Sequence, residues 1–171
     1  MKRILLILSP ARVSDSCVDE ALKAAAQGQA ELVTVFVLDT TISADFRSRL
    51  RDSGSLGEAP SDQLVAAMRE EQERQGREEL ARVEELAAAR GVSIRTRLVV
   101  GELVGCSLEA AQQESASAIF VTRRGRPAIS RLVAGSAVRE LADAAPCEVL
   151  VHDAGDARKG GDRKAAGRNG V

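Results

Sequence analysis

The sequence predicts an α/β protein: an open, doubly wound, five-stranded parallel sheet of order 3-2-1-4-5, with helices on both faces. Three observations predict it. Two short runs, Ile4–Leu8 and Ala118–Val121, are apolar without alternation, as strands covered on both faces must be. Around them strand-like and helix-like patterns alternate along the chain, which is how a parallel sheet with helical crossovers reads. Crossovers of this kind are right-handed, and setting the two most apolar strands, one and four, side by side at the centre yields the order above.

Composition suits such a sheet. The chain has 171 residues and 44% apolar content, enough for one domain with a buried core. Only Phe36, Phe46 and Phe120 are aromatic, so the core must be aliphatic. Without Trp or Tyr there is no platform for stacking nucleic-acid bases, and a net charge of −1 offers no footprint for a polyanion. Nucleic acid is therefore not an expected partner. Cys17, Cys106 and Cys147 are scattered and form no CxxC pair, which reads as a reduced, cytoplasmic protein. The apolar run after Lys2-Arg3 is too short for a signal segment or a membrane span, and reads as the first strand.

The elements follow in order. Ile4–Leu8 is strand one, stopped by Ser9-Pro10. Ser14 or Asp15 can cap a helix to about Gln27, with Val18, Leu22 and Ala25 on one face and Gly28 just past its end. Leu32–Leu38 is strand two. The stretch from Asp39 to Pro60 is long for a connection; Ala44–Arg51 can form a helical turn, and the rest reads as a mobile surface loop in preference to a lid. A long helix runs from Ser61 to about Arg90, with Leu64, Met68, Leu80, Val83, Leu86 and Ala87 as its buried stripe. Its Glu70, Glu71, Glu73, Glu78 and Glu79 are interleaved with arginines, which reads as an ion-paired solvated face, not as acid/base or metal chemistry.

Val92–Val100 alternates polar and apolar residues, as a half-wet edge strand does. Gly101 turns the chain into a helix from Leu103 to about Ser115, with Leu108 and Ala111 inward. Strand four, Ala118–Val121, then meets a polar break, Thr122-Arg-Arg-Gly125-Arg126-Pro127. A helix from Ser136 to about Ala144 and strand five, Cys147–His152, complete a domain over residues 1–153. Residues 154–171 are Gly, Ala and charge, with nothing to bury, and are expected to be disordered.

A strand ending in a glycine loop, followed by Gly135-Ser136 at a helix start, can hold a phosphate: glycines admit close approach of the backbone, and free N–H groups of the first helical turn face an anion. Ordinary capping and a solvated basic loop would look the same locally. The fold supplies the context. Chain direction reverses between strands one and four, ligands in such sheets sit beyond the carboxyl ends at that point, and Ser9 and Thr122–Gly125 lie there.

The spacing Gly125-x9-Gly135-Ser136 resembles the universal stress protein family, whose nucleotide-binding members carry G-x2-G-x9-G-[ST]. Val100-Gly101-Glu102 resembles the family's V-G-x-P turn, and Ala145-Pro-Cys-Glu-Val-Leu-Val151 its terminal A-P-C-P-V-L-V strand. The resemblance spans about Lys2 to Val151. It implies a stress-response regulatory or adaptor protein that binds an adenine nucleotide, ATP with or without Mg2+, at the strand one/strand four switch point. The implied contacts are Ser9, Val37, Val121, Thr122, Gly125, Arg126, Gly135, Ser136 and Ala137, with Val37 as the apolar wall for the base. It also implies a homodimer joined through strand five, Cys147–His152, and a regulatory protein partner of unknown identity.

Two departures bear on the nucleotide. Thr122 replaces the motif's first glycine, and a left-handed backbone there would cost a threonine about 1–2 kcal/mol. Ile7 and Ser9 stand where ATP-binding members carry the Pro and Asp of P-x-D. Arg123, Arg124, Arg126 and Arg131 are candidates to offset the loss by charge. These departures favour the alternative, a nucleotide-independent dimer of the same fold acting through protein contacts.

Catalytic groups are scarce. His152 is the only histidine and has no Ser or Cys partner near it in sequence, so it reads as a surface or interface residue. Cys17 stands near a helix start, where a thiol pKa can fall, but a small buried residue is the default. No Walker lysine, metal-ligand cluster or phosphoacceptor arrangement is visible. The reading is a non-enzyme, with slow ATP hydrolysis left open.

Overall fold

The structure, a computed structural model, describes residues 1–10, 12–41, 44, 48, 49, 52, 58–123 and 136–153. Its sheet has five parallel strands: β1 (Arg3–Leu8), β2 (Glu31–Asp39), β3 (Ile94–Gly101), β4 (Ala118–Arg123) and β5 (Glu148–Asp153). Their order is β3-β2-β1-β4-β5, as the apolar runs predict. β1 lies at the centre, with Leu5, Leu6, Ile7 and Leu8 all fully buried. It pairs with β2 from Arg3↔Glu31 to Leu8↔Phe36, and with β4 from Ile4↔Ala118 to Ile7↔Val121.

Among the described residues, the helices that cover the sheet are α1 (Asp15–Gly28), α2 (Glu58–Ala89), α3 (Leu103–Gln113) and α4 (Ser136–Ala144). Side chains alternate between faces along each strand, so the sheet feeds two apolar clusters. Leu6, Leu8, Phe36 and Phe120 pack with α1 and α2 on one face. Leu5, Ile7, Val35, Val37 and Val121 pack with α3 and α4 on the other.

The differences from the sequence expectations are local and have physical causes. α1 includes Gly28, and the left-handed residue that ends it is Gln29, with φ 47°. Ser14 sits at its N-cap position, but the hydroxyl pairs with Ser16 at 2.9 Å instead of capping a backbone N–H. α2 begins three residues early, with Pro60 in its first turn, where a missing N–H costs nothing. The expected stripe is one residue out of phase at its start: Leu64 is 40% exposed, and Val65 is the buried residue. Leu108 is only half-buried in α3, whose inward face is Leu103, Val104, Ser107, Ala110 and Ala111. α3 stops at Gln113, and Ser115 follows with a left-handed φ of 47°.

Gly76 is the notable packing position on α2. A Cβ there would lie 2.7 Å and 2.8 Å from two ring carbons of Phe36 and 3.0 Å from Leu98. The glycine lets the helix axis approach the sheet at the level of its largest fully buried side chain. The exposed side of α2 carries Glu71–Arg74, Glu78–Arg74 and Glu73–Arg77 pairs, as its charge pattern predicts.

Ala44, Ser48 and Arg49, within the stretch expected to form a helical turn, are helical, and so are Thr40, Thr41 and Asp52 outside it. The remainder of that connection, and the tail from residue 154, lie outside the described residues. At the opposite, amino end of the sheet, Arg3 and Arg95 bind Glu31 at 3.2 Å and 2.8 Å. Arg95 also reaches the buried Glu114 at 2.6 Å. Arg95 and then Arg3 hold the Glu31 carboxyl below its usual range. This network ties the strand starts together, far from the carboxyl ends of the strands.

Candidate switch-point site

At the carboxyl end of the sheet, the register sets the candidate residues level with one another. Leu8 and Phe36 are the last paired positions of β1 and β2, so Ser9 and Val37 stand one step beyond, side by side. Ile7 pairs with Val121, and β4 continues through Thr122 and Arg123 opposite His152 and Asp153. Ser9 is 1% exposed, and Val37, Val121 and Thr122 have no exposed surface. α4 begins at Ser136, and half-buried Ala137 with buried Val138 and Leu141 packs it onto the Val37–Val121 face. Its N-terminus, the positive end of the helix dipole, thus lies toward the carboxyl ends of the strands. Gly125, Arg126 and Gly135 lie outside the described residues, as do Arg124 and Arg131.

Thr122 needs correction. β4 does not stop at Val121 but runs to Arg123, and Thr122 takes ordinary strand backbone paired with His152. The described non-glycine residues with positive φ are Gln29 and Ser115, so the left-handed strain considered for Thr122 does not arise. Its side chain points to the α1 face, toward Cys17. Among the described residues its Oγ1 is buried without a hydrogen-bond partner. The hydroxyl moderates the Cys17 thiol without aligning as a hydrogen bond, and burial dominates, pushing that pKa up to about 11. Cys17 is an inert core thiol despite its place in the first turn of α1.

Arg123 is also committed elsewhere. Its Nε and Nη2 donate to Asp153 at 2.7 Å and 3.0 Å across the β4–β5 ladder, which holds the Asp153 carboxyl below its usual range. That charge is neutralised within the sheet. His152 is half-buried and stacks on Phe120 with ring centroids 6.0 Å apart, a packing role.

The charged residue that sequence reasoning missed is Arg12. Its N–H donates to the Ser9 carbonyl at 2.8 Å, folding the chain back over the end of β1. Its guanidinium Nη1 then donates to the Thr122 carbonyl at 3.2 Å, spanning the gap between the ends of β1 and β4. No local motif signals this, because the partners are 110 residues apart in sequence.

Among the described residues there is no group of three or more metal-ligating side chains, and no helix long and apolar enough to cross a membrane. At the carboxyl end of the sheet the described residues thus bring together the N-terminus of α4 and the buried apolar side chains of Val37 and Val121.

The model of the universal stress protein family matches residues 1–152. Among solved structures, a universal stress protein from Lactobacillus plantarum shares 20% identity, with 88% of this chain and 97% of that one covered and a TM-score of 0.66. One from Burkholderia pseudomallei shares 26% identity over 88% of this chain and 94% of that one, at a TM-score of 0.56. One from Archaeoglobus fulgidus, described in complex with dAMP, shares 15% identity over 88% of this chain and 97% of that one, at 0.56. No curated protein matches the sequence.

Proposed function

Because the chain belongs to the universal stress protein family over residues 1–152, we propose that it is a stress-response regulatory protein that binds an adenine nucleotide at the β1/β4 switch point. ATP, with Mg2+ on its phosphates, is the proposed ligand, and binding, not turnover, is the proposed role. The observation that carries this reading is the register at the strand ends, which sets Ser9 and Val37 level with one another at the carboxyl ends of β1 and β2, with Val37 on the face that α4 covers. The relative described with dAMP supports an adenine nucleotide as the ligand class. A reducing, cytoplasmic setting fits the three free cysteines.

Ser9 is too short to orient a nucleoside as a carboxylate would, so affinity should come mainly from phosphates. Titration calorimetry with ATP·Mg at millimolar concentration is expected to give heat of binding, with ATP and GTP differing little and ATP clearly outbinding adenosine. No heat, together with no nucleotide in native mass spectra of the purified protein, would replace this reading with a nucleotide-independent one. The complete burial of Val37 favours that second reading, since a base can reach it only if its neighbours move.

The partner surface proposed is the open side of β5. It is an edge strand, and Val151 is 43% exposed on it while Val149 is half-buried. Such an edge is available for pairing with a second copy. Val149→Pro removes one strand N–H and one apolar side chain, and is expected to sediment as a monomer where the parent sediments as a dimer. If both sediment alike as dimers, the interface lies elsewhere.

A further inference from the structure

We infer that the cavity between β3 and α3 binds a small aliphatic α-amino acid as its zwitterion, with Arg97 receiving the carboxylate and Glu109 the ammonium. The site stands at the sheet edge, apart from the β1/β4 crevice, and does not depend on the nucleotide reading.

Three observations carry it. First, the cavity has an apolar floor. It encloses about 190 Å3 beside the edge strand β3, and α3 faces it with the small side chains of Cys106 and Ala110. Val35 and Ala110 are buried there and Val99 is half-buried, all within the apolar cluster of that face. Such a floor suits a branched aliphatic side chain.

Second, the rim carries one charge of each sign with a neutral amide between them. Arg97 Nη1 donates to Gln113 Oε1 at 3.2 Å, and Gln113 Nε2 donates to Glu109 Oε1 at 2.9 Å. The amide thus turns its oxygen to the cation and its nitrogen to the carboxylate. A carboxylate and an ammonium on one carbon offer the same polarity at a similar spacing, with full charges in place of partial ones. Gln113 is exposed, so its side chain can leave that position without unpacking the core.

Third, Arg97 is loosely held. Its contact with Glu114 is 3.5 Å long, whereas Arg95 grips the same carboxylate at 2.6 Å. Among the described residues its Nε is buried without a hydrogen-bond partner. Arg3, Arg95 and Arg97 share the carboxylates of Glu31 and Glu114, so this network holds one more cation than it has anions. A ligand carboxylate restores the balance. A simple carboxylic acid would do so only by setting a like charge beside Glu109, and an amine would face Arg97 in the same way. The zwitterion satisfies both, and the apolar floor rejects a charged side chain.

Calorimetry on the full chain tests the inference with L-valine as probe and two controls, isovalerate, which lacks its ammonium, and isobutylamine, which lacks its carboxylate. L-valine is expected to bind about tenfold or more tightly than either control. Arg97→Gln and Glu109→Gln should each lose about tenfold of that affinity. Gln113→Ala should bind L-valine more tightly than the parent, because the amide no longer competes for the position. A side chain that only supports α3 would give no such gain. L-valine should also slow alkylation of Cys106, read by peptide mass mapping, and leave Cys147 unchanged. Burial, then the Glu109, Glu102 and Asp39 carboxylates, raise the Cys106 thiol pKa, so labelling is run at mildly alkaline pH. Gln113→Ala and the labelling leave the arginine network intact, and so test the cavity even where Arg97→Gln loosens the sheet edge. No heat and no slowing at Cys106, in both the parent and Gln113→Ala, would overturn the inference. Isovalerate matching L-valine would overturn it by removing Glu109 from the site. Equal L-valine affinity in the parent and Arg97→Gln would overturn it by placing the occupant elsewhere. Each of these results leaves ATP binding at the β1/β4 crevice as a separate question.

Discussion

Phe36→Ala is expected to lower the free energy of unfolding by about 3–5 kcal/mol, which is a large share of the stability of a domain this size. Phe36 is 1% exposed, in the middle of β2, beneath α2. Its ring lies where a Cβ on Gly76 would intrude, 2.7 Å from the nearest ring carbon. The two positions are therefore coupled, and their coupling is the sharper test. Gly76→Ala alone should destabilise by about 1–3 kcal/mol through overpacking, even though Ala favours a helix over Gly by about 1 kcal/mol. In the Phe36→Ala background the clash is gone, so the same change should become stabilising. Urea denaturation of the four proteins closes the cycle. A Gly76→Ala effect of the same sign and size in both backgrounds would show that the helix already stands off the ring.

Leu141→Ala should have the second largest effect, and it links stability to the site. α4 holds onto the core through Val138, 5% exposed, and Leu141, fully buried. Truncating Leu141 is expected to cost about 2–5 kcal/mol, depending on how far the cavity collapses. The loss should fall first on α4, a helix of nine residues that cannot stand alone in water. Hydrogen exchange should then show α4 amides opening well before those of β1 and β4. If the proposed site takes ATP, its affinity should fall with it, because the helix start at Ser136 is no longer held in place. Uniform loss of protection over the whole sheet would show instead that α4 and the sheet open as one unit.

These two positions also show how far the sequence can be read. The unbroken apolar runs of β1 and β4 make the strand order legible, because only a strand buried on both faces tolerates such a run. α2 was legible as a helix, yet its contact with the sheet was not. Gly76 has no side chain to enter a hydrophobic pattern, so the residue of closest approach left no trace between Met68 and Leu80. The end of α1 was misplaced by one residue for a related reason: Gly28 is the better left-handed residue by propensity, but Gln29 holds that conformation, its N–H reaching back toward Ala26. At the carboxyl end of the sheet, Ser9 and Val37 stand level beyond the last paired positions of β1 and β2, which alignment along strands makes legible, whereas Thr122 lies inside β4 and not past its end. The Arg12 contact and the Arg123–Asp153 pair were not legible, because each depends on a tertiary partner. The sequence offers Arg123, Arg124, Arg126 and Arg131 near the glycine loop as equivalent; of these, Arg123 is paired with Asp153 across the β4–β5 ladder.

The central place of β1 has a consequence for how the chain comes to exist. As it is synthesised, β1 emerges first and β2 soon after, but the other neighbour, β4, begins at Ala118. At ribosomal rates of about 5–20 residues per second, roughly 6–20 seconds pass before that partner is made. Through that interval a strand whose Leu5–Leu8 run ends fully buried has one unpaired edge and no cover from α3 or α4. The nascent N-terminal half therefore carries an unpaired apolar strand edge until β4 is made. A circular permutant that places β4 and β5 ahead of β1 would give the central strand its missing neighbour at birth, and should aggregate less during synthesis.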